Sequence, residues 1–172
     1  MILLRRPTTT WHVILWDLAK GTLEHGSWFR GKLYPLRCDL SWDGKLMVYL
    51  AMGSGAATTW NGVCAPPFLK TLAEWDNVGT WNGGGVWLER NALYRNLVAD
   101  CEVKGISTLP AKTEIRRLPS WRGEDLSLVF HRLYRDGFRP IVKGVARLLP
   151  ITSVERRRRW ARVVFGSANA MD

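Results

Sequence analysis

The alternation of apolar and polar positions divides the first half of the chain into short strands. Residues 11–18, WHVILWDL, are β-branched and aromatic and predict a strand closed by a turn at 19–22. TLEHGSWFR at 22–30 predicts a second strand, and Gly31-Lys32 a further turn. In 33–40, Leu33, Leu36 and Leu40 interleave with polar residues, predicting a third strand that Pro35 assigns to an edge or a bulge. Ser41-Trp42-Asp43-Gly44 predicts a tight hairpin turn, because Asp-Gly readily supplies positive φ angles. LMVYLAM at 46–52 is the strongest strand signal in the chain. After a loop at 53–57 comes a short strand at 58–63, and Pro66-Pro67 then breaks the ladder. Phe68, Leu72 and Trp75 follow Pro67 at helical spacing, so 67–75 predicts one or two helical turns. A glycine-rich loop at 76–85 leads into a strand at 86–90, VWLER.

Patterning in the second half predicts strands at 96–103 and 113–118. DLSLVFHRLY at 125–134 alternates, with Leu126, Leu128, Phe130 and Arg132 on one face, and predicts another strand. Asp136-Gly137 repeats the hairpin-turn signal, and FRPIVKGV predicts the returning strand. TSVERRRRWARVV at 152–164 predicts a helix, with Thr152 or Ser153 as N-cap and Glu155 in the first turn.

Composition adds two features to this picture. Ten tryptophans lie mostly in the first half, where the plainer expectation is core and inter-strand packing and the alternative is that two or three form an exposed stacking or interface surface. The net charge of +10 belongs mainly to the second half. Residues 1–90 hold 9 Lys/Arg against 7 Asp/Glu, whereas residues 91–172 hold 16 against 8, and 13 of those 16 are arginine. Arginine pairs bidentately with phosphate and carboxylate, so this asymmetry predicts an acidic partner such as nucleic acid, an anionic membrane surface or an acidic protein face. Three cysteines without CxxC spacing predict reduced thiols and a cytoplasmic setting. Arg5, Arg6 and Pro7 interrupt the apolar start, so no signal peptide is expected. No apolar run approaches the roughly 20 residues of a membrane-spanning helix.

Two stretches carry a family resemblance. VILWDLAKGTLEHG resembles the WD-type strand and glycine turn of WD-repeat proteins, and CDLSWDGKLMVYLA resembles the S-x-D-G-K hairpin of WD40 and TolB-type β-propeller blades. The resemblance covers 13–51 and implies hairpin-rich antiparallel architecture. The Asp-Gly hairpin does not recur at the blade period of roughly 40–45 residues, so a closed propeller is not implied. The expected fold is therefore mainly β, with antiparallel hairpins in a sheet, sandwich or part-propeller arrangement and a short C-terminal α-helix. One domain is expected over 1–172, with a Trp-rich β scaffold at 1–90 and an Arg-rich half at 91–172.

Candidate chemistry is sparse. Gly83-Gly84-Gly85 lacks the Lys-Ser/Thr of a phosphate loop and is followed by a strand pattern, so close packing of neighbours is its plainer role. His12, His25 and His131 show no metal-ligand spacing, and neither a metal nor a cofactor is expected. His131, with Tyr134 and Arg135 nearby, is the one constellation suited to general acid/base work on a phosphodiester. The basic positions Arg116, Arg117, Arg122, Arg132, Arg135 and Arg139, and the run Arg156, Arg157, Arg158, Arg159 with Trp160, predict a polyanion-binding patch with tryptophan available for stacking. The expected function is a non-enzymatic module engaging nucleic acid or an acidic protein. The alternative is a small metal-independent nuclease centred on His131.

Overall fold

A computed structural model describes residues 2–5, 10–53, 58–77, 79–98, 101–118, 125–142 and 145–148, with side chains described from 10 to 138. Its largest unit is a seven-stranded antiparallel sheet in the order β1-β2-β3-β5-β6-β7. These strands are β1 (Ile2–Arg5), β2 (Thr10–Asp17), β3 (Thr22–Leu33), β4 (Asp39–Leu40), β5 (Met47–Gly53), β6 (Thr59–Cys64) and β7 (Thr71–Asn77). The end of β3 and the short β4 both pair with β5, through Leu33↔Ala51 and Asp39↔Val48, and so share one of its edges. A three-stranded sheet follows: β8 (Gly85–Trp87), β9 (Ala92–Arg95) and β10 (Glu114–Arg117). Within it β9 and β10 run parallel, the one parallel ladder among the described residues. Helix α1 (Asp125–Arg135) and the hairpin of β11 (Phe138–Val142) and β12 (Val145–Leu148) complete the order.

The expected mainly-β architecture is present, and β5 is its centre. An uninterrupted apolar strand suits a position covered on both faces. Met47, Tyr49 and Ala51 enter one core with Trp11, Val13, Leu33 and Cys64. Val48 enters a second core with Val63, Ala73, Trp75, Trp87 and Leu93 on the opposite face. The hairpin turn at 41–44 forms as expected: Gly44 has φ 73 and its N–H bonds Ser41 O at 2.9 Å.

Several elements differ from expectation. Residues 71–77 are strand β7 rather than helix, because Ala73 and Trp75 point inward while Glu74 and Asp76 are exposed, a period of two that outweighs the helical spacing of Phe68, Leu72 and Trp75. Gly31-Lys32 is not a turn. β3 runs through it, and Gly31 (φ 146) lies where a Cβ would sit 2.4 Å from Met52 O. The predicted strand at 33–40 is broken by a 3-10 turn at Pro35–Arg37. The strand expected at 125–134 is helix α1. Leu128 and Arg132, four apart and both buried, form its inner stripe, and Asp136-Gly137 ends it instead of turning a hairpin. Asp136 N–H donates to Arg132 O, Gly137 N–H donates to Tyr134 O, and Gly137 has φ 95, the conformation favoured just beyond a helix end. Among the described residues of 96–103 no strand forms; the ordered pairing lies earlier, in β9. The helix expected at 152–164 lies outside the described residues.

Candidate functional site

The arginines of α1 point into the protein. Arg135 Nη1 donates to Asp39 Oδ2 at 2.6 Å and to Trp87 O at 2.9 Å, and its Nε donates to Asp136 at 2.8 Å. Asp39 Oδ2 also accepts the Trp87 N–H at 2.8 Å, so the ion pair brackets the Trp87 peptide at the end of β8. Burial raises the Asp39 carboxyl above its ordinary value, with Arg135 and Arg132 pulling against it. Burial also opposes the Arg135 charge, but Asp39 and Asp136 outweigh it and hold the guanidinium more firmly protonated than usual. Arg132 donates to Cys38 O at 2.5 Å and to Leu36 O at 2.8 Å. From the sheet side, buried Arg37 pairs with Asp125 in the first turn of α1 and donates to Trp81 O at 3.3 Å. Helix and sheet are thus joined by charge-assisted bonds at both helix ends.

The remaining basic candidates are spread out. Arg116 is partly exposed and engaged by Glu114, by Glu89 at 3.0 Å and by the Tyr94 hydroxyl at 2.8 Å. Arg117 donates to Val98 O at 2.5 Å. His131 is half-buried, and that burial depresses its pKa. Tyr134 is exposed and its ring stacks with Phe130 at 6.4 Å between centroids. His131 and Tyr134 therefore share the helix with Arg135, but the Arg135 head group is turned toward Asp39. Arg122 and the run Arg156, Arg157, Arg158, Arg159 and Trp160 lie outside the described residues, and the side chain of Arg139 is not among those described. No group of three or more His, Cys, Asp or Glu that could hold a metal occurs among the described residues. Burial pushes the Cys38 and Cys64 thiols up to about 12, which keeps both protonated. No helix among the described residues is long and apolar enough to cross a membrane.

The triple glycine serves packing. The Gly83 N–H donates to Asn96 O, the Asn96 N–H donates to Gly84 O, and Asn61 Oδ1 accepts the Gly84 N–H at 2.5 Å. A Cβ on Gly84 would stand 2.3 Å from Arg37 O, and its φ is 73.

A surface that strand prediction did not single out lies on the β2–β3 ribbon. Trp28 stacks on His12 with centroids 4.0 Å apart, and His12 stacks on His25 at 5.1 Å, so three rings form one column. A bulge makes this possible. His12 pairs with Trp28 and Ile14 with His25, leaving Gly26 and Ser27 opposite Val13 alone. Without the extra residue His25 and Trp28, three apart, would face opposite sides of the ribbon. The segment after Cys64 holds the bulge in place: Ser27 N–H donates to Pro67 O at 3.1 Å and Ser27 Oγ accepts the Leu69 N–H at 2.9 Å. Trp16 and Leu23, paired across the ribbon on the same face, are also exposed.

Comparison with protein-family models, curated proteins and solved structures finds no match to this chain.

Proposed function

We propose that this chain is a non-enzymatic binding module that engages a polyanion, nucleic acid in the first instance, through its basic C-terminal stretch. One observation carries the reading: along the sequence, the charge excess is concentrated in residues 139–172. Residues 139–172 hold Arg139, Lys143, Arg147, Arg156, Arg157, Arg158, Arg159 and Arg162 against only Glu155 and Asp172. In the body, by contrast, Arg37, Arg132 and Arg135 are taken up by internal acceptors, and Arg116 is balanced by Glu89 and Glu114. Cations in a stretch with few carboxylates nearby in sequence are well suited to displacing counterions from phosphates. The nuclease alternative draws no added support from the described geometry, since the Arg135 guanidinium is committed to Asp39.

The test is fluorescence anisotropy with labelled RNA and DNA oligonucleotides and with a poly-glutamate peptide. Micromolar or tighter binding to an oligonucleotide, weakened at least tenfold by reversing Arg156, Arg157, Arg158 and Arg159 to glutamate, is the expected result. Binding to the acidic peptide alone would transfer the role to a protein partner.

A further inference from the structure

We infer that the exposed face of the β2–β3 ribbon is a stacking platform for the unpaired bases of single-stranded nucleic acid; the inference rests on the nucleic-acid reading above and names the form of the ligand. The aromatic component is the exposed pair His25 and Trp28, with His12 buried between them as the ring on which both stack; Trp28 is 52% exposed, and Trp16 lies further along the same face at 37%. Rigid aromatic surface left in water on a regular ribbon suits flat, sequence-tolerant partners, because every base presents a π-face.

Charge on the same face favours a nucleic acid over an apolar or cationic partner. On β3, Phe29 and Leu33 pack in the core, so Trp28, Arg30 and Lys32 alternate to the other side, and all three are exposed. The ribbon carboxylates, Asp17 and Glu24, pair with Thr22 and Leu15 and fall by alternation on the face opposite Trp16, Leu23 and His25. The platform is therefore aromatic at one end, cationic at the other and free of strand carboxylates. Its side chains step by about 6.7 Å along β3. A stacked duplex strand advances about 3.4 Å per nucleotide. That wider interval matches a strand drawn out of base stacking, with bases on Trp28 and phosphates near Arg30 and Lys32.

The test compares a fluorescein-labelled twelve-residue oligo(U), oligo(dT) and a duplex of equal length against wild type, Trp28→Ala, Trp28→Phe and the pair Arg30→Glu/Lys32→Glu, with circular dichroism confirming each fold. The expected result is roughly tenfold weaker single-strand binding for Trp28→Ala, recovery by Trp28→Phe, a comparable loss for the charge pair and unchanged duplex binding for Trp28→Ala. Crosslinks from 4-thiouridine should map to the peptide containing His25 and Trp28. Wild-type single-strand affinity in a folded Trp28→Ala, or crosslinks confined to other peptides, overturns the platform. If charge reversal at 156–159 abolishes binding while Trp28→Ala and Arg30→Glu/Lys32→Glu change nothing, the platform fails and the C-terminal reading stands. If the wild type binds no oligonucleotide, both fall.

Discussion

At the scale of single residues, the sharpest consequence concerns Asp39. Its side chain is 4% exposed and that of Arg135 14%. Removing Asp39 leaves the largely buried Arg135 guanidinium with only the more exposed Asp136 as counter-charge, and breaking a buried pair in this way costs up to about 3–5 kcal/mol. Asp39→Ala should lower unfolding free energy by that amount in urea titration, whereas Arg116→Ala, whose partners are exposed, should change it far less. His131 gives a pH signature. Burial lowers its folded pKa below the unfolded value near 6.5, so protonation favours the unfolded chain. The neutral ring's contribution is complete above pH 6.5 and fades as pH falls from 6.5 through the folded value. Wild type should accordingly lose stability over that interval relative to His131→Asn, as read by thermal melts at successive pH values. Arginine identity was visible in the sequence, but its role was not. Nothing in the local pattern distinguishes Arg132, which satisfies two buried carbonyls, from a solvated cation, since those carbonyls come from residues 36 and 38.

At the scale of elements, strands with a hairpin partner next in sequence were legible. β2, β5 and β6 fall close to their expected bounds, because alternation, β-branching and the Asp43-Gly44 turn all point the same way. Segments whose apolar residues also fit the other period were not. β7 reads as helix until β6 lies beside it, and α1 reads as strand until Leu128 meets Val86 and Leu118 in a third core. Leu128→Ala should therefore cost about 2–5 kcal/mol in chemical unfolding. The bulge in β3 was equally hidden, since its cause is the contact with Pro67. A Cβ on Gly26 would come 2.2 Å from Pro67 O. Gly26→Ala should destabilise the protein by about 1–3 kcal/mol and shift the amide resonances of His12, His25 and Trp28. Loss of stability without change at those three residues would count against the bulge as the device that aligns the column.

At the scale of the whole molecule, the division seen in the sequence between a tryptophan-rich half and an arginine-rich half takes a different form in three dimensions. Tryptophans supply both core and surface: Trp11, Trp75 and Trp87 are buried, while Trp16, Trp28 and Trp81 are exposed. Arginines likewise divide into those that tie α1 to the sheet and those of 139–172 that carry the charge excess. The central claim is that this excess binds nucleic-acid phosphates, and the most direct measurement is the salt dependence of oligonucleotide affinity. If several arginines of the C-terminal stretch displace counterions, log K should fall linearly with log salt concentration, with a slope near −0.7 per phosphate contacted on a single strand. Reversing Arg156, Arg157, Arg158 and Arg159 to glutamate should flatten that slope by about 3, while Arg116→Ala leaves it unchanged. A slope that stays the same after charge reversal, or an affinity indifferent to salt, would contradict the account.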